Sequence, residues 1–372
     1  MAGIRRVSDL GTKGWSNILD GSIVTADLAN NSVTQAKLDT SVPLSGNRNV
    51  LINGSFELWQ RTNSSEYTAQ ASAEWKAPDR WWTAQLSTVS TLIVSRQTAD
   101  TSFLQYGCRV QRKAGQTGTG TIYLGQVLES SMSKRFSGQQ ATLSFYVKKG
   151  ANAPSTFNVV VYSGNGTDQS SGSLFSAGWT SGAAIIDQSV TPTTTMTRYS
   201  YTFSVGSINQ LGVWFKWTPS GTAGADEWFQ FEGVQLEIGS QVTPFEQRLH
   251  PIELMLCQRY YQVVASGANA GIGNVTYTNT NTLEGYIHLP VQMRTTPTLA
   301  SQTTSGTNYY TVLSYSGGYD YLNYVYLDSI SNNRNIALYN NSEASGTGGQ
   351  AGIWWCYAGA GSPQFVALQS EL

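Results

Sequence analysis

The sequence predicts an all-β protein: an N-terminal fibrous stalk segment, a jelly-roll β-sandwich, and a second C-terminal β-sandwich domain joined to it by a short helix. Three observations carry this prediction. From about residue 48 onwards, short runs of alternating apolar and polar residues recur, separated by clusters of Gly, Ser, Asn and Pro; this is the texture of antiparallel strands and tight turns. Only one stretch of the chain has convincing helical spacing. Residues 21–40 hold a ten-residue repeat.

In that repeat GSIVTADLAN is followed by NSVTQAKLDT, so Ile23, Leu28, Val33 and Leu38 fall five apart. A strand alternates by two and a helix repeats every 3.6 residues, so neither alone gathers these residues on one face. Several identical chains wound together would bury them around a shared axis. A flexible linker with accidental similarity is the other reading. Pro43 and Ser45-Gly46-Asn47 close the segment with loop chemistry. The organisation read from the chain is therefore 1–46, an intertwined stalk segment, then 47–250 and 251–372.

Within 47–250, strands are expected at 88–96, 120–128, 141–148, 156–162, 198–205, 210–217 and 227–236. In the third of these, Leu143, Phe145 and Val147 face one way and Ser144, Tyr146 and Lys148 the other. So many strands with no helix between them predict a closed antiparallel jelly roll. The Ser/Gly/Thr-rich stretch 163–182 reads as a surface loop. PIELMLCQRYY at 251–261 is the one expected helix: proline fits a first turn, and Ile252, Met255 and Leu256, then Arg259 and Tyr260, recur at helical spacing. Beyond it, strands are expected at 283–290, 309–315, 324–328, 336–339, 352–358 and 364–368.

Composition excludes several function classes. The 372 residues carry 11 Trp, 20 Tyr, 37 Gly and 82 Ser or Thr, and only 12% are charged, about half the usual share. Aromatic richness at a net charge of -1 excludes a disordered chain, and leaves no general electrostatic footprint for nucleic acid or anionic lipid. No apolar run approaches the length of a membrane span, and MAGIRRVSDLGTKGW lacks the apolar stretch of a signal peptide. Synthesis in a cytosol without membrane insertion is expected. Cys108, Cys257 and Cys356 form neither a zinc pattern nor a disulfide framework. His250 and His288 stand without a ligand partner at metal spacing, and the nucleotide-binding, zinc-protease and serine-hydrolase motifs are absent.

Two groups of residues suit sugar recognition, in which aromatic rings cover the apolar faces of sugars while amides and acids bond the hydroxyls. The first is Trp59, Trp75, Trp81 and Trp82 around Asp79-Arg80. Adjacent Trp81 and Trp82 point to opposite faces of a strand, so at most one belongs to the core; the other is exposed, covered by another element, or at an interface. Asp79-Arg80 reads as a structural pair or turn anchor. The second group is Tyr315, Tyr319, Tyr321 and Tyr324 in YSGGYDYLNY, which suits either an adaptable binding loop or a tyrosine-lined subunit interface. Trp354-Trp355 reads as packing. Glycoside hydrolysis needs two carboxylates across one cleft. Acids are scarce, and Glu232 and Glu237, five positions apart on a strand, are expected to face opposite sides. No catalytic residues are assigned, and no cofactor is required.

Several segments resemble known families. Asn49-Val-Leu-Ile-Asn-Gly-Ser-Phe-Glu57 with Trp59 resembles the opening strand of jelly-roll carbohydrate-binding modules, ATLSFYVKK and TMTRYSYTFSV resemble later strands, and FQFEGVQLE resembles the closing one. NVLINGSFELWQR, APDRWW, VQLEIGSQVTPFEQR and ELMLCQRYY together, with the repeat and the segments VQMRTTPTL and VALQSEL, are similar to bacteriophage tail-fibre and receptor-binding proteins. That resemblance implies a homotrimeric virion protein without enzymatic activity, a tail or baseplate partner for residues 1–46, and multivalent adhesion to host-surface polysaccharide. A head fibre or capsid decoration protein is the alternative, and a polysaccharide hydrolase a further one. The carbohydrate-binding modules also imply a structural calcium, with Glu57 and Glu232 at the matching positions, Glu232 standing where the family more often has aspartate.

Overall fold

The computed structural model describes residues 47–76, 78–302, 309–314, 318–357 and 365–372. The repeat with Ile23, Leu28, Val33 and Leu38 lies outside the described residues, as does Tyr315.

The first sandwich comprises β1 (Ser64–Thr68), β2 (Trp82–Gln85), β3 (Thr91–Thr98), β4 (Tyr106–Arg112), β5 (Ile122–Val127), β6 (Gln140–Lys149), β7 (Phe157–Gly164), β8 (Ala183–Val190), β9 (Thr197–Ser204), β10 (Gln210–Trp217) and β11 (Trp228–Ile238). They form a six-stranded sheet, β1-β3-β4-β11-β6-β9, facing a five-stranded sheet, β2-β5-β10-β7-β8. The expected alternation on β6 holds: Leu143, Phe145 and Val147 are buried in the core between the sheets. Aromatic rings fill the centre of that core. Phe215 and Phe231 stack at 4.3 Å, and Phe157 meets Phe215, Phe229 and Phe231 edge-on.

Four strands escape sequence reading because they lack clean alternation. β2 is buried along its whole length, and β8 is exposed or half-exposed except at its last residue. β1 is a short edge strand, and β4 is interrupted by Gly107. The stretch 163–182 is also more than a surface loop. It carries a short helix, α2 (Ser171–Ser176), and lays Leu174, Phe175 and Trp179 against Trp82 and Trp214 on the outer side of the five-stranded sheet.

The segment Asn49–Glu57 is not a strand in the structure; residues 51–55 are bends and turns. Its side chains instead tie β11 to the rest of the fold. Asn49 Nδ2 donates to the Val234 carbonyl at 3.0 Å, and its Oδ1 accepts from the amides of Leu51 and Leu236. Asn53, in the left-handed region at φ 55, donates to the carbonyls of Leu58 and Asp79 and accepts from the Leu58 amide. An Asn visits that conformation more readily than most residues. The reason for so much stitching is a bulge in β11 between Glu232 and Gln235, with Gly233 at φ 53. A bulge leaves ladder groups unpaired, and the Asn49 and Gly54 groups supply their partners at Val234.

The expected helix is α3 (His250–Gln258), with proline in its first turn. It stops short of the expected end because Tyr261 begins a strand. On its outer side Leu249, Ile252 and Met255 are exposed.

The second sandwich comprises β12 (Tyr261–Ser266), β13 (Gly271–Asn279), β14 (Thr282–His288), β15 (Thr298–Gln302), β16 (Tyr310–Ser314), β17 (Tyr319–Leu322), β18 (Tyr326–Leu327), β19 (Asn335–Asn340), β20 (Ala351–Cys356) and β21 (Phe365–Gln369). A three-stranded sheet, β12-β21-β15, accompanies a seven-stranded one, β17-β16-β20-β13-β14-β19-β18. Tyr277, Tyr310, Val312, Leu338, Trp354 and Cys356 fill the core behind the larger sheet.

Residues Gly46–Leu372 form one compact unit, because the two sandwiches share a buried junction. Ile52 and Leu58 of the first pack with Cys257 and Tyr260 of the second. Arg80, 1% exposed, pairs with Glu371, donates to the Val127 carbonyl at 2.8 Å, and lies 3.5 Å from the Tyr260 ring centroid. Arg259 grips Glu129 through two hydrogen bonds of 2.7 and 2.8 Å, and the Tyr260 hydroxyl donates to the same carboxylate. Burial alone would raise the Glu129 pKa; the hydrogen bonds from Arg259 and Tyr260 outweigh it and hold the group below the ordinary glutamate value. Leu372 completes the junction by packing among Trp82, Val127 and Trp214 on the first sandwich.

Candidate functional site

The four candidate tryptophans of the first sandwich, Trp59, Trp75, Trp81 and Trp82, do not form a ring platform. Trp59 and Trp81 are buried in the core between the sheets, with their indole N–H groups donating to the carbonyls of Phe56 and Asn53. Trp82 points to the opposite face, as adjacency on the chain requires, and is fully buried there beneath Phe175, whose ring lies 5.4 Å away edge-on. Trp75 is half-buried beside it, with the Arg80 guanidinium 5.7 Å from its ring. Rings covered by protein on both faces cannot stack on a sugar, so the expectation of a sugar site at Trp59, Trp81 and Trp82 is corrected to packing. Asp79-Arg80 is structural. Arg80 holds the junction, and Asp79 accepts from the Gln60 amide and side chain. Burial pushes the Asp79 carboxyl up despite Arg61 nearby.

The second group behaves differently. Tyr319, Tyr321 and Tyr324 are exposed, and all lie in the second sandwich on or beside its seven-stranded sheet. The strand register shows what accompanies them. On the outer face, Tyr319 pairs with Leu313, Leu313 with Ile353, and Ile353 with Asn274. In the next row Tyr321 pairs with Thr311 and Thr311 with Trp355. In the row on the other side Ala351 pairs with Thr276, Thr276 with Glu284, Glu284 with Tyr339, and Tyr339 with Tyr326. Tyr286, on β14 opposite Ala337, stands between the last two groups and is 63% exposed.

One face thus carries two aromatic banks. The first consists of Tyr319 stacked on Tyr321 at 6.3 Å, with Trp355 and Tyr357 set edge-on against them. The second consists of Tyr324, Tyr326 and Tyr339 in sequence at 6.0 and 5.4 Å, with Tyr286 on the neighbouring strand. Between the banks lies an open groove of about 900 Å³, lined by Asn274, Thr276, Glu284, Tyr286, Leu313 and Ile353 among others. Glu343 fixes the approach to the second bank: its carboxylate accepts from the amides of Asn323 and Tyr324 and from the Asn323 and Asn340 side chains. A depression of about 530 Å³ on the first sandwich, near Tyr123, Asn158 and Lys216, offers much less. Its Lys216 and Asn158 are already engaged by Asp187 at 2.6 Å each.

Glu232 and Glu57 have separate sets of partners among the described residues. Glu232 is fully buried, and its carboxylate accepts from the amides of Asp100 and Thr101, the Thr101 hydroxyl and the Gln230 side chain. Glu57 belongs to a different neighbourhood, near His250, Glu253 and Gln247, where burial raises its pKa. Calcium needs six to eight oxygens, and no group of three or more His, Cys, Asp or Glu suited to a metal occurs among the described residues. The Glu57/Glu232 calcium expectation therefore has no assembled site to support it. The expectation that Glu232 and Glu237 face opposite sides fails for a specific reason. The bulge at Gly233 resets the alternation, so Glu232 pairs with Tyr146 and Glu237 with Thr142, both on the outer face of β6. Four residues of strand still separate them by about 13 Å, beyond the spacing of a glycosidase pair. Glu237 is also occupied, by the Thr243 amide and hydroxyl and by Gln235.

No protein-family profile matches this chain, and no curated protein sequence matches it. Among solved structures it is similar to a family 4 carbohydrate-binding module, at 16% identity and a TM-score of 0.29 over 50% of this chain and 98% of that one. A xylan-binding family 22 domain from Paenibacillus barcinonensis matches at 10% identity and 0.27, over 49% of this chain and 99% of the other. The enzymatically active domain of tailspike protein 4 of bacteriophage CBA120 matches at 11% identity and 0.31, over 53% of this chain and 22% of the other. At these scores the likenesses assign no ligand or activity to any residue here.

Sequence reading missed Glu284, Tyr286, Asn274 and Ile353. A usable signal existed for the first two: in LEGYIH, Leu283, Gly285 and Ile287 alternate with Glu284, Tyr286 and His288. No local signal places that strand four positions from Tyr319 in the sheet. The face that results can stack rings on apolar surfaces and offer hydroxyl, amide and carboxylate groups between them. No helix among the described residues is long and apolar enough to cross a membrane.

Proposed function

We propose that this chain is a non-enzymatic structural subunit of a homotrimeric phage tail fibre, and that it adheres to host-surface glycan through the outer face of the seven-stranded sheet. The observation that carries the adhesive part is the pair of aromatic banks flanking a largely apolar groove that holds Asn274, Thr276 and Glu284. Soluble monomers rarely leave such a patch without a partner. Each face would bind weakly, and three chains per fibre would make attachment strong through effective concentration. The fibre role rests on the resemblance of the sequence to tail-fibre proteins, with residues 1–46 docking on the tail or baseplate.

Replacing Tyr319 and Tyr286 together by alanine tests the adhesive site. Loss of two stacking rings is expected to weaken binding to immobilised host polysaccharide at least about tenfold, while the mass in solution stays that of the parent. A fall in mass instead of binding would make this face a subunit interface and overturn the reading. The exposed apolar stripe Leu249, Ile252 and Met255 on α3 supports a subunit contact elsewhere. Met255→Glu in the full chain is expected to shift light-scattering mass from trimer towards monomer, because a carboxylate buried in an apolar contact is costly. An unchanged trimer would remove α3 from the interface.

A further inference from the structure

The polar centre of the groove has a sharper chemistry than adhesion requires. Of the residues lining it, Glu284 alone is charged. It sits in the middle of a cross-strand row, with Thr276 on one side and Tyr339 on the other. Among the described residues its carboxylate makes no hydrogen bond or ion pair, in contrast to Glu232, Glu237, Glu343 and Glu371, whose oxygens are all engaged. The cation nearest in register is at the far end of the sheet, where Arg334 donates to His288 Nε2 and the His288 ring bonds Asn335. Ala351, two strands away in the same row, is small and exposed.

We propose that Glu284 is the specificity-determining residue of this face and that the ligand is an uncharged, hydroxyl-rich oligosaccharide, with acidic glycans excluded. The proposal rests on the glycan-binding reading above and names the class of glycan. A carboxylate accepts two hydroxyl hydrogens from one sugar in charge-assisted bonds, and Asn274 and Thr276 beside it add donors and acceptors. The same carboxylate, with no Lys or Arg lining the groove among the described residues, repels a uronate or sialate held between the aromatic banks. Trp355 on β20 and Tyr286 on β14 are two strand spacings apart, about 10 Å, so a short oligosaccharide spans the facing edges of the two banks.

The test uses the full chain on immobilised glucose, galactose and mannose hexaoses, with hexagalacturonate as the acidic counterpart, comparing the parent with Glu284→Gln and Tyr319→Ala. The parent is expected to bind at least one neutral hexaose and to bind hexagalacturonate at least tenfold more weakly, a gap that narrows as salt screens the repulsion. Glu284→Gln is expected to lose about tenfold on the neutral sugar, the worth of charge-assisted bonds, and to lose its discrimination against the acidic one. Glutamine keeps the shape of the side chain, and near-identical thermal stability would show that the loss is not one of folding. Neutral binding that falls with Tyr319→Ala but not with Glu284→Gln overturns this inference and leaves the adhesive reading standing. Preference of the parent for hexagalacturonate also overturns it. Binding to no hexaose of either charge overturns both.

Discussion

Arg80→Met is expected to lower the free energy of unfolding by about 3–5 kcal/mol, the cost of removing one partner from a buried ion pair. Arg80 and Glu371 are both nearly inaccessible, at 1% and 5% of side-chain surface. Without the guanidinium, Glu371 keeps only Arg61 at 2.9 Å, the Val127 carbonyl loses its donor, and Tyr260 loses the cation over its ring. Guanidinium denaturation followed by tryptophan fluorescence measures the effect. Trp82, in one apolar cluster with Leu372, contributes to that signal with the other tryptophans. Arg80→Lys is expected to recover only part of the loss, because an ammonium neither forks nor stacks. The double variant Arg80→Met with Glu371→Met is expected to be more stable than Arg80→Met alone, since it leaves no uncompensated charge. Equal stability of the parent and Arg80→Met would mean that the sandwiches are held by their apolar contacts alone.

Gly54→Ala is the second large effect, at about 3 kcal/mol of destabilisation. A Cβ at this position would stand 2.1 Å from the Val234 carbonyl oxygen and 3.0 Å from Asn49 Nδ2. Neither neighbour can move freely. The Val234 amide donates to the Gly54 carbonyl at 2.9 Å, and Asn49 Nδ2 holds the same Val234 carbonyl. Relief would break those bonds beside the β11 bulge, adding unsatisfied buried groups to the cost of overpacking. Gly206→Ala is the control, because a Cβ there meets nothing within 4 Å. Thermal unfolding of the two variants side by side should separate them clearly. Equal midpoints would show that the Asn49–Glu57 segment does not clamp β11.

These two variants also show where sequence reading of this chain succeeds and where it stops. NVLINGSFE is conspicuous in the sequence, yet its role is to fasten a bulge more than 170 residues away. The same bulge turns Glu237 onto the face of Glu232, against the parity count, because one extra residue in a strand inverts every side chain beyond it. Tyr319, Tyr321 and Tyr324 were legible as candidates because tyrosines in a Gly/Asp/Asn turn have few packing reasons to be there. Trp81 and Trp82 were legible only as a pair pointing opposite ways. That the second of them is covered, by Phe175 and Leu372, depends on segments about 90 and 290 residues along the chain.

The sequence by itself determined the all-β class, the strands with clean alternation and the helix at Pro251, since each follows from local periodicity or spacing. Only the tertiary structure decided which aromatics are free and which acid stands alone. Burial is set by what packs against a residue from elsewhere in the chain. Tyr319 and Tyr286 share a face because β17, β16, β20, β13 and β14 pair in that order and register, and Glu284, without a partner among the described residues, joins that face for the same reason.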